Sequence, residues 1–327
     1  MKIKRILVYG ELEKERLHPV SLELLSKAKE IFPESDVQFG IVVLGSGIGS
    51  AVAEARKSGV DLVYHLDDDR LSVFHPEYFA AALIQAVKAF DPDLLLMGAT
   101  YGGEELAPAL GIRLKTGVAA HCTDIRLTKD GKLAQLVPAF GGKVIGEIFT
   151  PNTRPQIASI KPGMFLASPQ EDKNASLSTL DGSLLNSVPN RIRVKGVNRK
   201  ELSSLPVEKA EVVVCGGYGI GSMEHWSSLE KLAEKLGGAV ACTRPAIDAG
   251  WVRDESSMIG TSGKSIRPKV YIGVGISGAT HHICGMKDAG LIVSINSDPN
   301  AECFTVSDFK VTGDGNMIVR NLLEALG

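Results

Sequence analysis

Short runs of apolar residues recur along this chain with almost no polar interruption, and each gives way to a segment of helical period. In the first half these runs are Ile3–Tyr9, Val37–Leu44, Val60–His65 and Asp93–Gly98. A strand that is apolar on both faces must be covered on both faces. The pattern therefore dictates a parallel sheet between layers of helices. The helices are legible too. Pro19–Phe32 carries Val20, Leu24, Leu25, Ala28 and Ile31 at helical spacing, Ala51–Lys57 begins another, and Pro76–Phe90 is amphipathic.

After Gly117 the period shortens. Thr123–Leu136 and Val144–Ser159 read as strand pairs about turns at Lys129–Lys132 and Gly141–Gly142. Residues 168–188 are polar, Ser-rich and aperiodic, which predicts a linker. Arg191–Val197 is expected as an extra strand, and Asn198–Lys209 is polar again. A second α/β series follows, with strands at Glu211–Cys215, Val240–Thr243, Val270–Gly275 and Leu291–Ile295 and helices at Trp226–Leu236 and Met317–Leu326. At ~150 residues per domain, 327 residues suit two domains.

Composition narrows the function classes. The 36 Lys+Arg against 38 Asp+Glu leave a net charge of -2, without the basic field that nucleic acid requires. No apolar run reaches the ~18–20 residues of a membrane span, and the start turns charged too early for a signal peptide. A cytoplasmic protein is the expectation. Five cysteines with no CxxC exclude a disulfide scaffold and a zinc ribbon, and no metal site is expected. Glycine is in excess, 35 residues or about 11% against a usual ~7%, which marks tight turns and close backbone approach.

The chemistry concentrates at strand ends. GSGIGS at 45–50 and GGYGIGS at 216–222 each follow a strand, where backbone N–H groups and a helix N-terminus can hold a phosphate. Neither is a clean G-x-G-x-x-G, and either also suits an ordinary tight turn. Thr243-Arg244 ends a strand, and its guanidinium can serve an anion or a surface salt bridge. GTSGK at 260–264 is small and polar. GISGATHH at 275–282 follows another strand. Its adjacent histidines point in different directions, and no Asp, Glu or Cys completes a metal site around them. Asn296 and Asp298 end the next strand, and Asp308 comes one short strand later. Successive strand ends carrying polar loops argue for one nucleotide-sized ligand across the C-terminal edge of a parallel sheet.

These residues resemble a known family. ACTRPAIDAGW, GTSGK, PKVYIGVGISGATHHICGMKDAG and INSDPNAECFTVSDF, in that order over roughly 210–327, look like the C-terminal domain of the electron-transfer flavoprotein alpha subunit (FixB-like). LHPVSLELL at 17–25, PDLLLMGAT at 92–100, GEELAP at 103–108, PAFGG at 138–142 and RPQIASIKPG at 154–163 resemble its first domain. The resemblance implies an α/β fold: a nucleotide-hydrolase-like parallel-sheet domain over 1–190, a linker over 191–208, and a Rossmann-like doubly wound FAD-binding domain over 209–327. It implies that the first domain packs on a beta subunit and holds no cofactor. One FAD in the second would pass electrons singly between a partner dehydrogenase or reductase of acyl-CoA type, or another flavin or quinone oxidoreductase, and a further carrier, alone or within a bifurcating complex. The chain would then be a carrier subunit rather than an enzyme in its own right.

Position by position, the resemblance implies Arg244 beside the isoalloxazine, Ser262 on flavin N5 and His282 on the C2 carbonyl side. It implies Thr243, Ser277 and Gly278 at the pyrophosphate, and Asn296 and Asp308 at the adenosine end. Thr261, Gly263, Ala279, His281 and Asp298 complete the set. The flavin would carry the chemistry, so no acid–base triad is needed. A shift of about 59 mV in a one-electron potential is about 1.4 kcal/mol, within reach of one charge-assisted hydrogen bond. Four positions depart from the family pattern. Tyr218 stands for an Arg, Thr261 and His281 for glutamines, and Ser297 for a Lys. Tyr218 and Ser297 motivate an alternative, an adaptor subunit that has lost its flavin. The glycine turns motivate another, an NAD(P)-dependent oxidoreductase.

Overall fold

The computed structural model describes residues 3–32, 37–139, 144–168, 173–189, 191–197 and 205–327. The chain divides into two compact units, Met1–Ala139 with Ile145–Asn198, and Phe140–Val144 with Arg199–Gly327.

The first unit runs β1 (Arg5–Gly10), β2 (Leu12–Glu13), β3 (Arg16–Leu17), α1 (Pro19–Ile31), β4 (Gln38–Gly45), α2 (Gly49–Arg56), β5 (Leu62–Asp67), α3 (Pro76–Phe90), β6 (Leu94–Gly98) and α4 (Tyr101–Leu114). It continues through β7 (Val118–Cys122), β8 (Asp124–Leu127), β9 (Leu133–Ala139), β10 (Val144–Ile148), β11 (Gln156–Ile160) and β12 (Ser176–Thr179). Seven strands form one sheet in the order β12-β5-β4-β1-β6-β11-β7. Each of its pairings is parallel. The continuous apolar runs explain this. β6 is buried along its whole length, with Leu94 and Leu96 packed to one side and Leu95 and Met97 to the other. The helices close both faces. α1 starts on Pro19, capped by His18 Nδ1 accepting from Val20 N, and α3 buries Phe79, Leu83, Ala86, Val87 and Phe90.

Three expectations change in this unit. Of the strand pairs expected after Gly117, β8–β9 is an antiparallel hairpin, and β10 joins the same sheet beside β9. β11 instead enters the large sheet between β6 and β7, and the turn at Gly141–Gly142 lies outside the described residues. Part of the expected linker is structured. Its Ser176–Thr179 is β12, paired in parallel with β5, and Leu180 and Leu185 are buried beside it. An edge strand needs few apolar residues when two leucines anchor it, so its polarity masks it. Arg191–Val197 is no strand. These residues are exposed and irregular, since their alternating basic residues offer no face to bury.

The second unit runs β13 (Val212–Gly216), α5 (Met223–Lys235), β14 (Ala239–Cys242), α6 (Arg244–Asp248), β15 (Val270–Val274), α7 (Thr280–Ile283), β16 (Ile292–Asn296), β17 (Phe309–Thr312) and α8 (Gly315–Ala325). Its five strands are all parallel, in the order β14-β13-β15-β16-β17. Strand order reverses between β13 and β15. In an open α/β sheet this switch point is where the connections diverge and leave a crevice at the C-terminal edge. α5 packs Trp226, Leu229, Leu232 and Ala233 on one face, with Val214, Val274 and Val319 in the same cluster. On the other face Val213, Cys215, Tyr271 and Ile292 share a second cluster with Ile259, Ile266 and Met286. The fold class is thus the α/β arrangement expected from the sequence, with a parallel sheet in each unit and the second doubly wound. Among the described residues no helix is long and apolar enough to cross a membrane.

Candidate functional site

The two glycine-rich turns, alike in sequence, do different things. In the first unit the Asp67 carboxylate, at the end of β5, accepts from Gly47 N (2.8 Å) and Ile48 N (3.2 Å). The amides that a phosphate would need are occupied by the chain's own carboxylate, so this turn is structural. In the second unit the turn after β13 is stitched to the end of β15. Gly217 N donates to Val274 O and Gly219 N to Gly275 O, both at 2.9 Å. A Cβ at Gly219 would lie 2.8 Å from the Gly275 backbone, so the switch point is closed backbone against backbone. Only glycine permits this approach.

Around that closure the C-terminal edge of the second sheet gathers most of the expected residues. Thr243 follows β14. It is buried, its N–H reaches Gly216 O (3.1 Å), and its Oγ1 is buried without a hydrogen-bond partner. A buried hydroxyl left unpaired costs about 1–3 kcal/mol, which marks a site where something else supplies the partner. Arg244 opens α6, is two-thirds exposed, and pairs only loosely with Asp248 at 3.6 Å, leaving its charge available. After β15, Gly278 takes φ +90°, and a Cβ there would overlap the backbone nitrogen of Cys303. Ser277 O accepts from that same nitrogen at 3.1 Å, while Ser277 and Ala279 stay exposed. After β16, Asn296 Nδ2 donates to Ile276 O (2.7 Å) and its Oδ1 accepts from Asp298 N (2.9 Å). Asn296 therefore braces the ends of β15 and β16. Asp298 Oδ1 accepts from Asn300 N, leaving Asp298 exposed.

The histidines divide sharply. His282 is buried. Its Nδ1 lies 3.2 Å from Ile259 O, an atom that can only accept, so Nδ1 carries the proton. Nε2 is therefore the acceptor of the Tyr271 hydroxyl at 2.7 Å. Burial pushes the His282 pKa down to about 4, so the ring is neutral. Both ring nitrogens are used inside the protein, and His282 braces the site from beneath. His281 is exposed, and its Nδ1 meets Thr261 Oγ1 at 2.9 Å. This brings the 260–264 loop, with Ser262 and Gly263, against the start of α7.

Asp308 does not reach this edge. Its carboxylate accepts from Ile292 N (2.8 Å) at the start of β16, on the opposite edge of the sheet. The residue that ends β17 on the proper side is Asp314. It caps α8 through Met317 N, next to Gly313, whose N–H reaches Asn296 O. The signal was present: an Asp three residues before the apolar-periodic Met317 is an N-cap pattern. Two more residues escaped the sequence reading. Tyr271, eleven positions from its histidine, is one. Trp251 is the other, stacked on Tyr218 with centroids 5.4 Å apart and planes 17° from parallel.

The edge holds no activated nucleophile. Burial raises the thiols of Cys215 and Cys303, and that of Cys242 to about 11, and all five cysteines are free. Among the described residues no cluster of His, Cys, Asp and Glu could hold a metal. What remains is a binding edge with an exposed guanidinium, an unpaired hydroxyl and a bonded polar loop. Such an edge suits a cofactor that brings its own reactivity.

Comparison with known proteins is consistent with this geometry. Residues 6–184 match the family described as "Electron transfer flavoprotein domain", and residues 206–287 the "Electron transfer flavoprotein FAD-binding domain". The chain is 33% identical over 324 residues to the "Electron transfer flavoprotein subunit alpha" of Thermoanaerobacterium thermosaccharolyticum, covering 99% of this chain and 98% of that one. It is 36% identical over 328 residues to "Protein FixB" of Rhizobium meliloti, covering 98% and 92%. It is 34% identical over 321 residues to the "Lactate dehydrogenase (NAD(+),ferredoxin) subunit LctC" of Acetobacterium woodii, covering 97% and 76%.

Proposed function

The chain belongs to the electron-transfer flavoprotein alpha-subunit family, and from that premise we propose that it is the flavin-holding half of a heterodimeric electron carrier. Its cofactor is FAD, the ligand of the domain that residues 206–287 match. The residues fit that group. The observation that carries the reading is the unpartnered, buried Oγ1 of Thr243 at the C-terminal edge, beside the exposed guanidinium of Arg244. An adaptor without a ligand would have little reason to keep a buried hydroxyl unpaired.

When bound, FAD supplies the redox chemistry, taking up and releasing electrons singly. The chain's own residues bind, orient and bias it. Arg244 places positive charge where the isoalloxazine gains negative charge on reduction. Thr243, Ser277, Gly278 and Ala279 take the pyrophosphate. Thr261, Ser262, Gly263 and His281 face the ring. His282 steadies that face from below as a neutral brace. Asn296, Asp298 and Asp314 mark the adenosine end. Tyr218 and Ser297 remove two cations from the usual set.

The partners in this reading are a beta subunit, which packs on the first unit, and a dehydrogenase or reductase, with the acyl-CoA type as the family's model. The domain scheme follows: a cofactor-free 1–190 unit, a 191–208 linker, and a 209–327 unit with the FAD. The name of the Acetobacterium relative, with both NAD(+) and ferredoxin in it, favours a second reading in which the carrier works inside a bifurcating complex. The chain acts as a carrier subunit, with no reaction of its own.

The test is Thr243→Val in the full-length chain produced with its beta subunit. Removing the hydroxyl should raise the FAD dissociation constant about three- to tenfold. The melting temperature of the flavin-free protein should stay level or rise, because an unpaired buried hydroxyl is gone. Unchanged affinity, with lower flavin-free stability, would mean that the hydroxyl serves the fold and not the cofactor.

A further inference from the structure

We infer that His281 and Thr261 form a side-chain clamp that sets the 260–264 loop against the start of α7, which makes His281 a positioning residue for Ser262. This rests on the reading of the edge as a flavin site and names a device within it.

The seam between the two segments is drawn backbone to backbone. Thr261 N donates to His281 O at 2.8 Å, and Ile266 N donates to Gly285 O at 2.8 Å. His282 Nδ1 donates to Ile259 O from the buried side. A Cβ at Gly260 would lie 2.7 Å from His281 O, and one at Gly285 would lie 2.6 Å from Gly260 N. The loop therefore cannot slide along α7 without breaking several contacts at once.

Within the loop, Gly263 N returns to Gly260 O at 3.1 Å and Lys264 N reaches Met258 O. Ser262 stands exposed at the tip, between residues that are pinned. One pin is a pair of exchangeable side chains, Thr261 Oγ1 and His281 Nδ1 at 2.9 Å. Backbone bonds fix where the loop runs. A side-chain bond on the residue next to Ser262 restrains that peptide, and with it where the Ser262 Cα–Cβ bond points. An imidazole Nδ1 and a glutamine side-chain amide can each hold a threonine hydroxyl. Gln at 281 should therefore preserve the clamp, whereas Ala should not.

The experiment compares Thr261→Val, His281→Ala and His281→Gln with the parent, in the full-length chain produced with its beta subunit. Two readouts are taken. The first is hydrogen exchange over residues 258–264 in the flavin-free protein, which does not depend on the site's ligand. The second is the FAD dissociation constant with the visible spectrum of the bound flavin. The clamp predicts faster loop exchange in Thr261→Val and His281→Ala, at about fivefold, and parent-like exchange in His281→Gln. It predicts the same order for FAD, with affinity falling about fivefold and the flavin bands shifting in the first two only. Parent-like exchange in His281→Ala, or no rescue by Gln, would overturn the clamp. Altered exchange with no FAD bound by the parent itself would support the clamp and overturn the flavin reading instead.

Discussion

His282 shows how a residue that reads as a ligand contact can be used instead as a beam. It gives up both nitrogens to Tyr271 and Ile259, and burial holds its pKa near 4 against 6.5 for a free imidazole. The sign follows from linkage. Above pH 6.5 the ring is neutral in the folded and unfolded chain alike. As pH falls from 6.5 toward 4, the unfolded chain takes up a proton that the folded one refuses, and stability drops by up to roughly 3 kcal/mol. Thermal melts from pH 7.5 to 4 should therefore show an acid decline that His282→Gln flattens. An identical decline in the variant would assign the acid sensitivity elsewhere. The sequence could show that two adjacent histidines point apart, and it did place both at a strand end. It could not show which of them faced inward. That depends on Tyr271, one strand away, and on a carbonyl in a loop. Thr243 and Arg244 were legible because a strand end followed by a helix start is a local pattern. The misplacement of Asp308 has the same cause in reverse. Its residue type was right, but the sheet edge on which it falls depends on where β17 begins.

Elements bring the site together, and glycine sets how closely they can approach. β15 and the turn before α7 meet the Cys303 segment where Gly278 leaves no room for a side chain, at φ +90°. Gly278→Ala should cost more than about 2 kcal/mol in denaturant unfolding, because both the backbone angle and the neighbouring backbone oppose it. Gly237 also has positive φ (+64°), at the end of α5, but nothing surrounds it. Gly237→Ala should cost only about 1–2 kcal/mol, the local backbone term. Equal losses at the two positions would contradict the close-approach argument. Most strands of both sheets were legible as apolar runs. α4 was not, since its Gly102, Gly103, Pro108 and Gly111 are poor helix markers, and its start rests on Thr100 Oγ1 accepting from Gly103 N. β12 was hidden by polarity. Its place depends on β5 offering a free edge, which no local pattern encodes.

At the scale of the whole molecule, two similar parallel sheets have opposite fates. In the first, Asp67 occupies the amides of the glycine turn, and Glu11 sits at the start of α4 with its carboxyl bonded to Thr100 Oγ1 at 2.6 Å, its pKa raised by burial. In the second, the corresponding edge keeps an unpaired hydroxyl, an exposed guanidinium and a clamped polar loop. The family resemblance was carried by that second edge, where the motif residues are dense. The first unit resembles the family mainly in its core. In the proposed reading one FAD lies along the C-terminal edge of the second sheet and nowhere else in this chain. This reading is tested most directly by hydrogen exchange on the full-length chain with its beta subunit, before and after FAD is removed, with flavin counted per chain. One FAD should be assigned to this chain. Its removal should speed exchange in this chain only at 216–221, 243–247, 260–264, 275–282, 296–298 and 313–316. Unchanged exchange in those segments, or the larger change at 45–50 and 98–103 in the first unit, would contradict it.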